Sequence, residues 1–145
     1  MKQILLLAFL ALSSLGFSQK IKLKVTGQKD TTVFLIKYYG KNLLYADTAE
    51  MKNGLVEFNG AKQKPGIVGL LLPGQKYFEF IYNNEEVQLE TAGPDFVGNM
   101  KVKKSAENTI FIDYIQYINK ERSKANELSS KREAMKRTDA GYKGL

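Results

Sequence analysis

Alternating apolar and polar positions dominate the chain after residue 18. At residues 20–25, three lysines alternate with Ile21, Leu23 and Val25, which indicates a strand with one buried face. The same period of two, interrupted by turn residues, recurs as far as residue 91. The pattern predicts about seven short strands, at residues 20–25, 32–39, 43–47, 55–58, 67–72, 76–82 and 85–91.

Turn residues separate these runs and favour hairpin connections. Asn53-Gly54 is the strongest turn signal, because both central residues of a type I′ turn need a positive φ. Pro-Gly pairs bracket residues 67–72, an almost unbroken apolar run that is typical of a buried central strand. The fold predicted for residues 19–100 is an antiparallel sandwich or open barrel, and the pattern leaves the order of the strands open.

The period changes after Lys104 and predicts a helix. Ser105 suits the N-cap, and apolar residues then recur at intervals of three and four. These residues are Ile110, Phe111, Tyr114, Ile115 and Ile118. We expect this stripe to dock on the sheet, and we expect residues 119–137, rich in Lys, Arg and Glu, to form a solvated helix. Residues 101–145 are therefore assigned as a helical linker or tail.

Residues 1–18 have the pattern of a secretory signal peptide. Lys2 precedes nine apolar residues at 4–12, and the small residues Gly16 and Ser18 stand at the −3 and −1 positions of a cleavage site. Nine residues are too few to cross about 30 Å of hydrocarbon at about 1.5 Å per residue. We therefore expect cleavage after Ser18, export to the periplasm or cell envelope, and no membrane span afterwards.

The composition excludes several kinds of chemistry. The 145 residues contain neither Cys nor His, so no Ser-His-Asp or Cys-His nucleophile can form. The usual ligands of zinc, haem and iron-sulfur clusters are missing as well. The length allows at most one compact domain after the signal peptide, and no disulfide can stabilise it. We predict no cofactor and no metal site.

The positive charge is unevenly distributed. Residues 19–100 carry ten basic and nine acidic side chains, whereas residues 101–145 carry eleven and six. A phosphate-rich surface could be bound by the basic side chains of the predicted helix, Lys124, Lys131, Arg132, Lys136 and Arg137. Because glutamates are interspersed and aromatics are absent there, the segment is more typical of a solvated helix or interaction arm. We predict no nucleic-acid partner.

Carboxylates and aromatics supply the other candidate sites. Asp47 and Glu50 lie near the Asn53-Gly54 turn, but their spacing does not fit a calcium loop. A catalytic pair, as in glycoside hydrolysis, could be drawn from Glu79, Glu85, Glu86 and Asp95. Carboxylates of this kind occur in any soluble sheet, so we predict no catalytic residue. The candidate interaction surface consists of the aromatic residues Phe34, Tyr38, Phe78 and Tyr82.

Three segments of the sequence resemble a known family. They are KDTTVFLIKYYGKNLLYADTA (29–49), PGIVGLLLPGQKYFEFIYN (65–83) and LETAGPDFVGNMKVKKSAEN (89–108). The chain resembles the domain of unknown function, 4369 type, found at the N terminus of exported thioredoxin-like thiol-disulfide oxidoreductases of Bacteroidota. In that family the β-domain has no established activity, and a later Cys-x-x-Cys domain performs the redox chemistry. This chain contains no Cys, so no catalytic residue carries over.

The resemblance implies two functions. One is a non-catalytic envelope module that binds a protein partner, dimerises, or positions a thioredoxin-like domain. The alternative is the N-terminal fragment of a thiol-disulfide oxidoreductase whose Cys-x-x-Cys domain is missing. Continuation of the genomic reading frame past Leu145 would distinguish them.

Overall fold

The computed structural model describes residues 19–135, so the predicted signal peptide and the basic residues Lys136 and Arg137 lie outside the described part. Within it, eight strands precede one long helix. The strands are β1 (Lys20–Thr26), β2 (Thr31–Tyr39), β3 (Asn42–Met51), β4 (Leu55–Asn59), β5 (Gly66–Leu72), β6 (Lys76–Tyr82), β7 (Val87–Ala92) and β8 (Lys101–Lys104), and the helix is α1 (Ala106–Ala134).

The strands form two four-stranded sheets. Sheet 1 has the order β4-β1-β7-β8 and sheet 2 the order β3-β2-β5-β6. The predicted fold, mainly β and followed by a helix, is confirmed, and the sheets do not close into a barrel. One pairing departs from the antiparallel expectation: β1 and β7 run parallel, with Ile21 opposite Val87.

The eighth strand, β8, carries only one apolar residue, Val102, which is why the alternation did not reveal it. Its pairing with β7 shifts register between Gln88 and Leu89, so that Lys103 is the extra residue of a β-bulge. A bulge turns successive side chains toward one side of the strand. Lys103 and Lys104 both reach carboxylates of the outer face of sheet 1.

The Asn53-Gly54 turn links the two sheets. Both residues have a positive φ, 51° and 74°, and Lys52 and Leu55 exchange two backbone hydrogen bonds of 2.9 Å. The predicted two-residue hairpin turn is thus confirmed. A Cβ atom on Gly54 would lie 2.6 Å from the carbonyl oxygen of Val25, so the close approach of β1 also requires glycine.

The hydrophobic core lies between the sheets. Strands β1, β2 and β4 to β7 contribute alternate residues, as the period of two predicts. From sheet 1 the buried residues include Ile21, Leu23, Val25, Phe58 and Leu89, and from sheet 2 they include Val33, Leu35, Leu70, Phe78, Phe80 and Tyr82. Met51, Phe96 and Met100 extend the same cluster toward the ends of the sandwich.

The helix begins as predicted but docks in a different rotation. Ser105 is the N-cap, and its hydroxyl accepts a hydrogen bond from the Asn108 N–H at 3.1 Å. Ile112 is 2% exposed and joins the core, whereas Ile110 is 74% exposed. The prediction that Ile110 and Tyr114 belong to the docked stripe is therefore wrong. The polar contacts of Asn108 and Gln116 set the rotation of the helix.

Two side-chain amides attach α1 to backbone groups of the sheet region. Asn108 is fully buried, its Oδ1 accepts from the Ile81 N–H at 2.7 Å, and its Nδ2 donates to the Ile81 carbonyl at 2.7 Å. Because β6 is the edge strand of sheet 2, Asn108 occupies the place of a neighbouring strand. Two turns further on, Gln116 donates to the carbonyls of Val97 and Met100.

The second half of α1 leaves the sandwich. Every residue from 122 to 134 is exposed, which confirms the predicted solvated helix over the described residues. Ion pairs of 2.8 and 2.6 Å join Lys124 to Glu121 and Lys131 to Glu127, so the basic side chains are partly neutralised within the helix. No helix within residues 19–135 has the length and apolarity to cross a membrane.

Candidate interaction surface

The outer face of sheet 1 is covered by cross-strand ion pairs. They join Lys20 to Glu57 at 2.8 Å, Lys22 and Lys104 to Glu86 at 2.8 and 2.6 Å, and Lys103 and Lys24 to Glu90 at 3.4 and 3.9 Å. Opposite charges on neighbouring strands stabilise a solvated sheet face modestly. This face is therefore hydrophilic, and most of its charged side chains are paired with one another.

Glu86 is the centre of this ion-pair network. It accepts hydrogen bonds from Lys104, Lys22 and Gln88, and these hold the pKa of its carboxyl at about 2. The bond to Lys104 has the largest influence, and the same contact with Glu86 raises the pKa of Lys22. Both ionised forms are favoured, so the network persists through neutral pH.

A shallow hollow of about 410 Å³ also lies on this face. Its charged lining is balanced, with the lysines Lys22, Lys24 and Lys103 and the carboxylates Glu50, Glu57 and Glu90. A binding site for a small molecule is expected to combine an apolar lining with a few convergent polar groups. The charged side chains here are already engaged: Lys24 and Lys103 pair with Glu90, and the other three bond to residues outside the hollow.

The outer face of sheet 2 has the opposite chemistry. Phe34 packs edge-on against Tyr45, with ring centroids 5.1 Å apart, and Ile36 lies opposite Tyr45 in register. Ile67 lies opposite Ile81 on the adjacent pair of strands. The large apolar residues exposed on this face are Tyr38, Leu43, Tyr45, Ile67 and Tyr77, each between 43% and 70% exposed. Exposed apolar patches of this kind are enriched at interaction sites in proteins generally.

Tyr38 is the polar element of this face. Its hydroxyl donates a hydrogen bond to Glu79, and this contact raises the pKa of Tyr38 to about 12. Glu79 is thus held over the sheet by a partner from β2. The pair places one negatively charged hydrogen-bond acceptor among the apolar side chains of this face.

A groove of about 340 Å³ continues this face beyond β6. Its walls are apolar and come from the sheet at Ile81 and from the helix at Ile110, Phe111 and Tyr114, with Glu107 at one side. Because Ile67 lies opposite Ile81, the groove is continuous with the outer face of sheet 2. We name the outer face of sheet 2 together with this groove the apolar face.

The four aromatic residues selected from the sequence divide between core and surface. Phe34 and Tyr38 lie on the apolar face, half-buried and 44% exposed respectively. Phe78 and Tyr82 are 2% and 0% exposed, so their assignment to a surface is wrong. They occupy alternate positions of β6 that point between the sheets, and burial raises the pKa of the Tyr82 hydroxyl.

Other residues of the apolar face are not among the four selected from the sequence. Tyr45 and Tyr77 are among its most exposed aromatics, and Ile110 and Tyr114 were assigned to the docked side of the helix. The sequence signal that could have revealed this face is the hydrophobic pattern of two strands. Both β2 and β5 are apolar on both faces, which a strand of a two-layer sandwich does not need for its core.

The carboxylates considered for catalysis or calcium are spread over the molecule and bonded locally. Asp47 accepts from the Thr48 N–H at 2.8 Å, Glu50 from the Thr32 hydroxyl at 2.6 Å, and Asp95 from the Gly98 N–H at 2.8 Å. Glu85 accepts from the Ser105 hydroxyl at 2.5 Å. Within residues 19–135 no group of three acidic side chains is arranged to hold a metal ion.

The fold defines the class of protein: a module of two β-sheets, with a helix packed beside the edge strands β6 and β8. The family described as Domain of unknown function (DUF4369) matches residues 19–111, which is more than half of the chain, and the chain belongs to that family. The match spans both sheets and the first turns of α1. A search of curated proteins finds no similar sequence.

Proposed function

We propose that the protein is an exported, non-catalytic module that binds a protein partner in the cell envelope through the apolar face. The observation that carries this proposal is the contrast between the two outer faces. Sheet 1 presents paired charges, whereas sheet 2 presents exposed aromatic and aliphatic side chains. Tyrosine-rich apolar patches are characteristic of protein interfaces, where each ring supplies a large contact area.

The dimensions of the apolar face suit a folded partner. It crosses four strands, whose three intervals of about 4.8 Å give about 14 Å, and it continues into the groove beside α1. Tyr38 and Glu79 supply one polar pair in its middle. A partner therefore needs an apolar surface with a hydrogen-bond donor or a cation at a position facing Glu79.

The second half of α1 favours a related role, that of the N-terminal part of a thioredoxin-like thiol-disulfide oxidoreductase. Sixteen residues of the helix, 119–134, extend the chain by about 24 Å at about 1.5 Å per residue, and nearly all are exposed. A projecting charged helix of this kind can space a following domain away from the sandwich. On this proposal the β-module positions the redox domain and supplies no thiolate itself, because the chain has no cysteine.

Site-specific photo-crosslinking tests the proposed interface in the cells that make the protein. A photoreactive residue at position 45 or 77 should give a discrete adduct with one partner, because Tyr45 and Tyr77 are 70% and 48% exposed on the apolar face. Matched positions on sheet 1, at Lys20 and Lys103, should give none. Equal labelling of both faces, or no adduct from either, would contradict the proposed interface.

Two further measurements test the remaining parts of the proposal. Mass spectrometry of the envelope fraction should find Gln19 as the first residue, and an intact Met1 would contradict export with cleavage. An insulin-reduction assay on the purified protein should show no turnover, since disulfide exchange requires a thiolate. If the reading frame continues past Leu145 into a Cys-x-x-Cys region, the role as part of an oxidoreductase gains direct support.

A further inference from the structure

The hairpin of β2 and β3 leaves part of the backbone edge of sheet 2 unprotected. β3 is an edge strand of sheet 2, and within the described residues no strand pairs with its outer side between Asn42 and Tyr45. Three consecutive apolar residues occupy this segment, Leu43, Leu44 and Tyr45, and they are 43%, 43% and 70% exposed. The segment contains no charge, proline or bulge.

Only the other half of β3 is protected. The register shift opposite Leu35 and Ile36 leaves Ala46 as the extra residue of a bulge, and beyond it Asp47 accepts a weak hydrogen bond from Gln63 at 3.5 Å. Proteins normally protect exposed edges with lysines, prolines, bulges or covering loops, because an open edge templates another strand. The unprotected half of β3 is therefore suited to accept one.

We propose that a second copy of this chain pairs with this edge, antiparallel and two-fold symmetric about Leu44, which joins two copies of sheet 2 into one sheet of eight strands. The proposal concerns the edge of the sheet: it shares Leu43 and Tyr45 with the apolar face, but the pairing does not require the partner proposed for that face. It uses the backbone N–H and C=O groups that β3 does not share with β2.

The sequence of the edge is complementary to itself in this arrangement. Antiparallel pairing about Leu44 places Tyr45 opposite Leu43 of the second copy, and the symmetry repeats this contact. Tyr45 and Leu43 both lie on the outer face of sheet 2, since they are opposite Ile36 and Tyr38 of β2. Aromatic and aliphatic side chains directly opposite each other on neighbouring strands attract. An unrelated extended peptide would match this pattern only by chance.

The size of the interface predicts weak association. Tyr45, 70% exposed, contributes roughly 140 Å² if a whole tyrosine offers about 200 Å². Two copies of Leu43, Leu44 and Tyr45 together remain below about 1,200 Å², the range of weak and transient complexes. We therefore expect a dissociation constant in the micromolar range or weaker.

Sedimentation velocity of the purified, naturally processed protein tests the proposal between about 10 µM and about 1 mM, a range that spans such affinities. The wild type should move toward twice the monomer mass as its concentration rises. Leu44→Lys should weaken association at least tenfold, because two positive charges would meet at the two-fold axis. An equimolar mixture of the L44K and L44E variants should restore association, since opposite charges then face each other.

Leu55→Lys is the matched control. Leu55 is 57% exposed, lies on the edge strand β4 of the other sheet, and has a lysine opposite it in register, as Leu44 does. This variant should associate like the wild type, and circular dichroism should show that both variants are folded. A monomeric wild type at every concentration would overturn the proposal and favour an extended segment of another protein as the occupant. Equal weakening by L55K, or no restoration in the mixture, would also overturn it.

Discussion

The buried amide of Asn108 gives the most direct test of how α1 is attached. Replacement by alanine removes the acceptor of the Ile81 N–H and the donor to the Ile81 carbonyl, each bonded at 2.7 Å. It also removes a 2.8 Å hydrogen bond from the Asn108 amide to the Ser105 hydroxyl. The perturbation therefore detaches the helix from the edge of β6 while leaving its apolar contacts in place.

The expected cost follows from the groups left without a partner. A buried donor or acceptor that loses its partner costs about 1–3 kcal/mol. Two such groups at Ile81, a residue that is only half-buried, give an expected loss of about 2–4 kcal/mol in the free energy of unfolding. This is a large part of the about 5–15 kcal/mol that stabilises a typical domain.

Urea unfolding followed by circular dichroism measures this loss, and hydrogen exchange at the Ile81 amide reports on the attachment itself. The matched control is Asn119→Ala, the same substitution on an exposed position of the same helix, for which we expect a change within about 0.5 kcal/mol. If Asn108→Ala costs no more than Asn119→Ala, the amide does not anchor the helix and the reasoning is refuted.

Three further variants test other features. Gly54→Ala should destabilise by more than about 1 kcal/mol in urea unfolding, because the residue has a φ of 74° and its Cβ would meet the Val25 carbonyl; an unchanged midpoint would contradict this. Tyr82→Phe should be neutral or stabilising by up to about 1 kcal/mol, because the buried Tyr82 hydroxyl has no hydrogen-bond partner within the described residues; a clear loss of stability would reveal one. Glu86→Gln should lower the melting temperature at pH 7, and this difference should disappear as the pH falls from about 4.5 to about 2. The folded pKa of Glu86 lies below its ordinary value, so its ion pairs stabilise the fold above pH 4.5 and are lost on protonation; a difference independent of pH would refute this.

Much of the fold could be predicted from the sequence because local rules determine it. The alternation at Ile21, Leu23 and Val25, the turn at Asn53-Gly54 and the N-cap at Ser105 each depend on a few neighbouring residues. The parallel pairing of β1 with β7 could not be predicted, because it joins segments that are distant in the chain. Alternation identifies a buried face but not the neighbouring strand.

The candidate surface was predicted only in part, for a physical reason. An aromatic residue in a strand points either into the core or toward solvent, and the sequence does not reveal which face a second layer will cover. On β6, Phe78 and Tyr82 face the core and Tyr77 faces solvent. The docked side of the helix could not be predicted for a similar reason. The amide of Asn108 sets the rotation of the helix, and the apolar stripe of the helix does not reveal that rotation.

The parallel pairing of β1 with β7 has a consequence for the order in which the molecule is assembled during synthesis. Val87 follows its partner Ile21 by 66 residues, whereas sheet 2 is contained in residues 31–82. At a synthesis rate of about 5–20 residues per second, β7 is made about 3–13 s after β1. Sheet 2 can therefore be complete while sheet 1 still lacks its central pair. During that interval the edge of β1 that later pairs with β7 lacks its backbone partner, and an open strand edge of this kind is a surface that a holdase chaperone can bind.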